Sequence, residues 1–364
     1  MPLRKVIISG GGTGGHIFPA IAIANELKKQ DPTIDILFVG AIGKMEMEKV
    51  PAAGYKIEGL WISGLQRRLT WKNFSFPFKV ISSLIKARKI LRKFKPDVVI
   101  GVGGFASGPM LRAAAGKGIP AVVQEQNSYP GITNKILSKK VQKICVAYEG
   151  MDKWFPKDKI VLTGNPVREE IVKLDGKKDR ALEHFNLIPD QPVLLIIGGS
   201  LGARTINESV GKSLSLFKEN NIQVIWQTGK TYVQQAKHEA ENYKNVRVFD
   251  FITKMDFAYA VADVVVSRAG AISVSELCLV KKPCILVPSP NVAEDHQTKN
   301  AMALVNHHAA VLVKDTNARE KLGEATVNLF KNNDEREKLR MNIASLGFNN
   351  STQAIVSVIK ELVR

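Results

Sequence analysis

Two segments of this chain open in the same way, and that repetition restricts the fold more than any other feature. Lys5–Ser9 is a short apolar run that leads into Gly10-Gly-Gly-Thr-Gly-Gly15 and then a helical pattern over residues 17–29. Residues 193–197 are again apolar, and lead into Gly198-Gly-Ser-Leu-Gly202 and a helical pattern over residues 206–219. A strand without polar alternation suits a parallel sheet covered on both faces. With the glycine turn and the amphipathic helix it makes the first step of a Rossmann-like unit. Further strands are predicted at residues 34–39, 98–102, 121–124, 144–146 and 160–162, and at 223–227, 246–249, 264–267, 284–287 and 310–313, with helical patterns between them. Such alternation means an α/β fold with parallel sheets. A length of 364 residues suits two domains. The turn cluster Thr163-Gly-Asn-Pro166 sets the expected boundary: a first domain over residues 1–163 and a second over 164–347. Ligands of open parallel sheets bind beyond the carboxyl ends of the strands, where both glycine turns fall.

Composition excludes several classes. A hydrophobic fraction of 45% is too high for a disordered chain. The longest charge-free apolar stretch, residues 98–111, is too short to span a bilayer and holds four glycines and a proline. No secretory leader is expected from Met1-Pro-Leu-Arg-Lys5. Three cysteines without metal-type spacing (Cys145, Cys278, Cys284) predict a reducing compartment and no disulfide framework. The net charge is 52 − 34 = +18, and it is uneven. Residues 1–165 carry 26 basic against 11 acidic groups (+15), and residues 166–364 carry 26 against 23 (+3). Residues 59–96 hold ten basic groups and no acid. Such a field attracts phosphates, nucleic acid or an anionic membrane, unless it is only a solvated face.

The motifs narrow the chemistry. Residues 10–15 fit G-x-G-x-x-G, the turn that brings backbone amides and a helix start against an anion. A run with five glycines in six satisfies almost any such pattern, however. The next strand also ends Phe38-Val-Gly-Ala-Ile42 without the acid a nicotinamide dinucleotide ribose requires. His16 stands where the helix begins, where the positive end of the dipole favours a neutral imidazole able to act as general base. A packing or capping histidine is the alternative. Ser200 offers a hydroxyl and an amide to a phosphate at the second turn, which is otherwise a bare strand–helix corner. In the stretch 267–276 a helix is expected to start near Ser273, with Glu276 on its first turn. Glu276 then either closes a capping box with Ser273 or accepts two ribose hydroxyls. The loop 288–297 ends in Glu294-Asp295-His296-Gln297, placed for a sugar, or for a helix start that Asp295 caps. No two aspartates stand two residues apart, and the adjacent His307 and His308 point apart on a helix, so no metal pair is predicted.

Seven stretches together resemble the MurG family, the peripheral-membrane glycosyltransferases that convert lipid I to lipid II in bacterial peptidoglycan synthesis. They are GGTGGHIFPA (11–20), GVGGFASGP (101–109), QEQNSYPGITNK (124–135), GNPVR (164–168), GGSLGAR (198–204), SRAGAISVSE (267–276) and EDHQTKNA (294–301). The resemblance implies a GT-B fold, two Rossmann-like parallel-sheet domains facing across a cleft, with a last helix (about residues 348–364) packing back on the first. It implies transfer of N-acetylglucosamine (GlcNAc) from UDP-GlcNAc to the 4-hydroxyl of MurNAc in undecaprenyl-pyrophosphoryl-MurNAc-pentapeptide. The reaction inverts the anomeric centre and uses neither metal nor cofactor.

Carried over by motif, Thr13, Gly14, Gly15, Asn127, Arg168 and Ser200 belong to the donor site. Ile252 reads uracil through its backbone. Ala271, Ile272, Ser273, Val274, Ser275 and Glu276 hold the nucleotide, with Glu276 on the ribose and Gln297 on the sugar. His16 is the first candidate for the base and Glu125 the alternative. Ser200 and Arg168 would meet the leaving-group charge. Gln124 departs from the family pattern, which has His there. The basic segment becomes a docking face for anionic lipid, with Trp71, Phe74, Phe76, Phe78, Lys79, Arg88 and Lys89 facing the membrane, on and before a helix predicted over residues 78–94. The resemblance places the chain on the cytoplasmic face of the inner membrane, among other cell-wall synthesis proteins. Competing readings are another UDP-sugar glycolipid transferase of the same fold and an NAD-dependent enzyme. No nucleic-acid motif is present.

Overall fold

The computed structural model describes residues 3–64, 75–199 and 201–363. The chain forms two compact units, Met1–Val167 with Asn350–Arg364, and Arg168–Asn349. Unit 1 runs β1 (Lys5–Ser9), α1 (Gly14–Gln30), β2 (Asp35–Ala41), α2 (Glu46–Ala52), β3 (Lys56–Leu60), α3 (Phe76–Phe94), β4 (Val98–Gly101), α4 (Ser107–Ala115), β5 (Ala121–Glu125), α5 (Ile132–Ser138), β6 (Lys143–Val146) and β7 (Ile160–Leu162). Unit 2 begins with α6 (Glu169–Val172), α7 (Lys178–Phe185), β8 (Val193–Ile197), α8 (Arg204–Lys212), α9 (Leu214–Glu219), β9 (Gln223–Gln227), α10 (Val233–Glu239) and β10 (Val246–Phe249). It continues through α11 (Met255–Val261), β11 (Val264–Ser267), α12 (Ala271–Val280), β12 (Cys284–Leu286), α13 (His296–Val305), β13 (Val311–Leu312), α14 (Ala318–Lys331) and α15 (Asn333–Ser345). The last helix, α16 (Ser351–Glu361), belongs to unit 1.

Both sheets are parallel, in the order β3-β2-β1-β4-β5-β6-β7 and β10-β9-β8-β11-β12-β13. The unbroken apolar runs have their expected cause, since helices cover both faces. Val6 and Ile8 of β1 share a core with Ile17, Ile23 and Leu27 of α1 and with Ile355 and Ile359 of α16. Ile7, on the other face, joins Ile90 and Leu91 of α3 and Met110 and Leu111 of α4. Ile355 and Ile359 are fully buried, each contributing about 1.5–3 kcal/mol, and Lys360 Nζ donates to Gln30 Oε1 at 2.7 Å. The core of unit 2 is built likewise on Leu194, Ile196, Val224, Trp226 and Val264.

Three local features differ from expectation. β3 is an additional edge strand, in which only Gly59 and Leu60 are fully buried. The helix expected over 206–219 is two helices, meeting at Ser213. The helix expected from Ser273 begins two residues earlier, at Ala271.

What positions the site is strand order. β1 pairs with β2 on one side and β4 on the other, and β8 with β9 and β11. The chain therefore reverses direction of progress at β1 and at β8, opening a crevice at the carboxyl end of each strand. Both glycine turns emerge there. Among the described residues, no helix is long and apolar enough to cross a membrane.

Candidate functional site

In unit 1 the glycine turn is drawn against the neighbouring strand ends. Gly10 N donates to Val39 O at 3.2 Å and Gly11 N to Gly103 O at 3.3 Å. Thr13 is the extended N-cap of α1, and its carbonyl accepts from the amides of His16 and Ile17, both at 3.1 Å. No side chain caps the helix, so the amides of Gly14 and Gly15, at its positive end, have no intrahelical acceptor. His16 Nδ1 lies 3.0 Å from Gly11 O and 3.3 Å from Thr13 Oγ1. Its ring lies on the loop after β4, where a Cβ added at Gly103 would come 2.7 Å from Cδ2 and 2.8 Å from Nε2. A glycine at that position is what lets the two loops close on one another.

Glu125 ends β5 and is buried. Its Oε1 accepts from the amide of Asn127 at 3.0 Å and from Asn127 Nδ2 at 3.2 Å. Its Oε2 accepts from the amide of Gly131 at 3.1 Å and from Asn134 Nδ2 at 2.8 Å. Both oxygens are thus committed to shaping the loop that carries Asn127. Beneath it, Gln124 Nε2 donates to Asn165 Oδ1 at 3.0 Å, Gln126 Nε2 donates to Gln124 Oε1, and Asn165 Nδ2 donates to Gln126 O at 2.9 Å. Gln124 is therefore fully buried in an amide network.

In unit 2, Gly199 O accepts from Gly202 N at 2.9 Å and from Gln227 Nε2 at 3.0 Å, which fixes the second glycine turn against β9. Ser200 lies outside the described residues. The start of α12 corrects the expected capping box. Gly270 is the N-cap, its carbonyl accepts from Val274 N at 2.9 Å, and no side chain caps the helix. Ser273 is therefore inside the helix and Glu276 lies beyond the first turn, with its carboxylate turned inward. Tyr259 Oη donates to Glu276 Oε2 at 3.1 Å, and Arg168 Nη2 stands 3.8 Å from Oε1. Burial pushes the Glu276 carboxyl up from its ordinary value, and Arg168 opposes the shift. Burial also pushes the Tyr259 phenol well above its ordinary value.

Ala271 and Val274 are buried, and Ile272, Ser273 and Ser275 are part-exposed, with Ser275 Oγ donating to Ala271 O at 3.0 Å. Ile252 is buried in the loop after β10. Gln297 Oε1 accepts from Ser289 N at 2.8 Å and so ties the 288–297 loop to the start of α13. Asp295 stands at the N-cap of α13 in a left-handed conformation, and its carboxylate takes the Thr298 hydroxyl at 2.7 Å in place of a backbone amide. A cavity of about 480 Å³ lined by Val193, Asp263 and Arg336 opens at the amino ends of β8 and β11, the end of the sheet away from these residues.

On α3, Phe78, Ile81 and Ile85 are exposed at helical spacing, with exposed Arg88 and Lys89 following on the same side. Phe76 is half-buried, and Lys79 donates to Ser63 Oγ at 3.0 Å while standing 5.7 Å over the Trp61 ring. Trp71 and Phe74 lie outside the described residues. Residues the motifs did not single out also take part: Tyr259 beneath Glu276, Asn134 on Glu125, and Glu46, whose carboxylate accepts from Gly12 N at 2.7 Å.

Two parallel α/β units, each with a glycine turn at the crevice of its sheet, define a protein of the two-Rossmann class. Residues 6–146 match the glycosyltransferase family 28 N-terminal domain and residues 193–358 its C-terminal domain. The chain is 56% identical to the UDP-N-acetylglucosamine–N-acetylmuramyl-(pentapeptide) pyrophosphoryl-undecaprenol N-acetylglucosamine transferase of Cytophaga hutchinsonii, over 100% of this chain and 99% of the relative. It is 54% identical to the enzyme of the same name from Flavobacterium psychrophilum, with the same coverage. The crystal structure of Acinetobacter baumannii MurG is similar over 98% of this chain and 99% of its own, with a TM-score of 0.80 and 28% identity. The chain belongs to the MurG family of glycosyltransferases.

Proposed function

We propose that this enzyme transfers GlcNAc from UDP-GlcNAc to the MurNAc 4-hydroxyl of undecaprenyl-pyrophosphoryl-MurNAc-pentapeptide, with inversion. The observation that carries the reaction is the full-length 56% identity to a transferase named for it. The geometry supports the roles. The acceptor oxygen attacks the anomeric carbon from the face opposite UDP and gives its proton to His16 Nε2. The carbon–oxygen bond to the β-phosphate breaks, and its electron pair leaves with UDP. His16 suits the base better than Glu125, because both oxygens of Glu125 already hold the 126–131 loop.

In unit 2, Glu276 takes the ribose, Ile252 the uracil, Gln297 the sugar, and the start of α12 (Ala271 to Ser275) the nucleotide. Arg168, Asn127, Ser200 and the helix-start amides of Thr13, Gly14 and Gly15 serve the substrate phosphates and sugar. The exposed face of α3 docks on anionic lipid, with Phe76 and Lys79 at its edge and Trp71 and Phe74 in the segment before it. This makes the chain a peripheral protein of the cytoplasmic membrane face.

The test is turnover of UDP-GlcNAc with a lipid I analogue, read as the disaccharide product. UDP-GlcNAc hydrolysis without product, or preference for another lipid-linked acceptor, overturns the acceptor assignment. His16→Ala is expected to lose most of kcat while donor binding changes little, and a wild-type rate removes it as base. EDTA is expected to leave the rate unchanged, because cationic and amide groups of the chain meet the leaving charge. A loss restored by Mg²⁺ contradicts that role.

A further inference from the structure

Glu46 is a buried carboxylate that the mechanism above does not use. It opens α2, is 1% exposed, and turns away from solvent into the floor of the glycine turn. Its Oε1 accepts from the amide of Ala41 at 2.9 Å, at the end of β2, and its Oε2 accepts from the amide of Gly12 at 2.7 Å. Two glycines make room for it. A Cβ at Gly11 would stand 2.2 Å from the carboxyl carbon, and one at Gly40 would stand 2.5 Å from Cγ.

The amide of Gly12 and the carbonyl of Gly11 belong to one peptide group. That carbonyl is the oxygen 3.0 Å from His16 Nδ1. One planar peptide therefore bridges a buried carboxylate and the imidazole: Glu46 Oε2 on its N–H side, His16 Nδ1 on its C=O side. A carbonyl oxygen can only accept, so the proton in that contact sits on Nδ1, and a neutral ring then has Nε2 as its basic nitrogen. A charge-assisted hydrogen bond to the N–H draws electron density toward the carbonyl oxygen and strengthens it as an acceptor.

We infer that Glu46 is a positioning residue for the transfer reaction, holding the Gly11–Gly12 peptide so that its carbonyl fixes the tautomer and orientation of His16. A carboxylate in direct contact behind a catalytic histidine does the same work; here a peptide group stands between the two. The same contact turns the Gly12 amide inward, which leaves the amides at the start of α1 as the anion-facing groups of unit 1. The inference rests on His16 being the base.

The experiment combines a spectroscopic readout with a double-mutant cycle. In the wild-type enzyme, ¹⁵N shifts of the His16 ring are expected to report Nδ1 protonated and Nε2 bare; the opposite tautomer overturns the inference without any variant. In Glu46→Gln the side chain keeps its size but presents an amide N–H to one of the two backbone donors. The tautomer mixture is expected to shift toward Nε2–H, and kcat to fall on the order of tenfold to hundredfold, with the donor KM within about twofold. In a His16→Ala background, Glu46→Gln is expected to cause no further fall. If His16→Ala alone turns over like wild type, the base assignment fails, and this inference with it. If His16→Ala is impaired and Glu46→Gln still adds its whole factor there, the base assignment stands and Glu46 is only a brace of the fold.

Discussion

Arg168 Nη2 stands 3.8 Å from Glu276 Oε1, so a buried carboxylate is met on one side by a guanidinium whose side chain is 40% exposed and on the other by the Tyr259 hydroxyl. The pairing is too open and too long to offset burial. The Glu276 carboxyl accordingly sits above its ordinary value, and the folded protein holds that proton more tightly than the unfolded chain. The associated stability is fully present below the unfolded carboxyl value of about 4.3. It is lost as pH rises through the raised folded value.

Glu276→Gln keeps the size and a polar partner for Tyr259 while removing the buried charge. It is expected to raise stability at pH 8 by about 1 kcal/mol, and the gain should vanish toward pH 4, where wild type is itself protonated. If Glu276 takes the ribose as proposed, binding of UDP-GlcNAc should weaken at the same time, because a carboxylate can accept from both hydroxyls and an amide cannot. Thermal melts at both pH values, with donor titrations, check this. A gain independent of pH removes buried charge as its cause.

Glu125 makes the opposite case, a carboxylate whose hydrogen bonds build a loop. Glu125→Gln turns one acceptor oxygen into a donor facing an amide or the Asn134 side chain, and the expected destabilisation is about 1–3 kcal/mol. With His16 as the proposed base, the acid limb of the pH–rate profile should survive in this variant. A profile without that limb makes Glu125 the base.

Much of this is readable in the chain, and each miss has its own physical cause. β1 and β8 announce themselves because a strand buried on both faces has no polar alternation to blur it. β3 does not, because Lys56-Ile-Glu-Gly-Leu60 lies at the sheet edge and offers only two large apolar side chains. Ser273-x-x-Glu276 reads as a capping box, but Gly270 starts the helix through its backbone alone and so leaves no side-chain signal. Glu46 was invisible for a different reason. In Met45-Glu-Met-Glu48 nothing local sets it apart from Glu48, and only the fold brings it to Gly12, 34 residues away. An interior glycine at the end of β2, Gly40, was the available hint that something approaches closely there.

Gly103→Ala tests how tightly the two loops of unit 1 fit. Gly103 has a φ of +94°, and a side chain held there costs about 1–3 kcal/mol of strain. The added methyl would also meet the His16 ring at 2.7–2.8 Å. The variant should therefore lose turnover by tenfold or more, an order of magnitude consistent with misplacing a reacting group by about 1 Å. Its donor affinity should stay near wild type, because the methyl meets the His16 ring and none of the groups assigned to the donor. Unchanged kcat in a folded Gly103→Ala protein shows that the imidazole position does not limit the reaction.

The exposed face of α3 makes the last prediction. Phe78 is 70% exposed, Ile81 57% and Ile85 50%, while Ser83, Ala87, Ile90 and Leu91 on the other side are buried. A helix with an apolar stripe toward solvent as well as one toward its core is not explained by folding alone. The stripe runs into Arg88 and Lys89, so apolar side chains and cations can meet one surface together. Replacing Phe78, Ile81 and Ile85 by Ser should leave the melting temperature nearly unchanged, since none of the three is buried. Flotation with anionic vesicles should nevertheless fall sharply. Arg88→Ala with Lys89→Ala should weaken the same binding by about 1 kcal/mol per charge near the surface, and added salt should erase the difference from wild type. Equal flotation of wild type with neutral and anionic vesicles removes Arg88 and Lys89 from the contact, and wild-type flotation or a loss of fold in the serine variant assigns the stripe to something other than lipid.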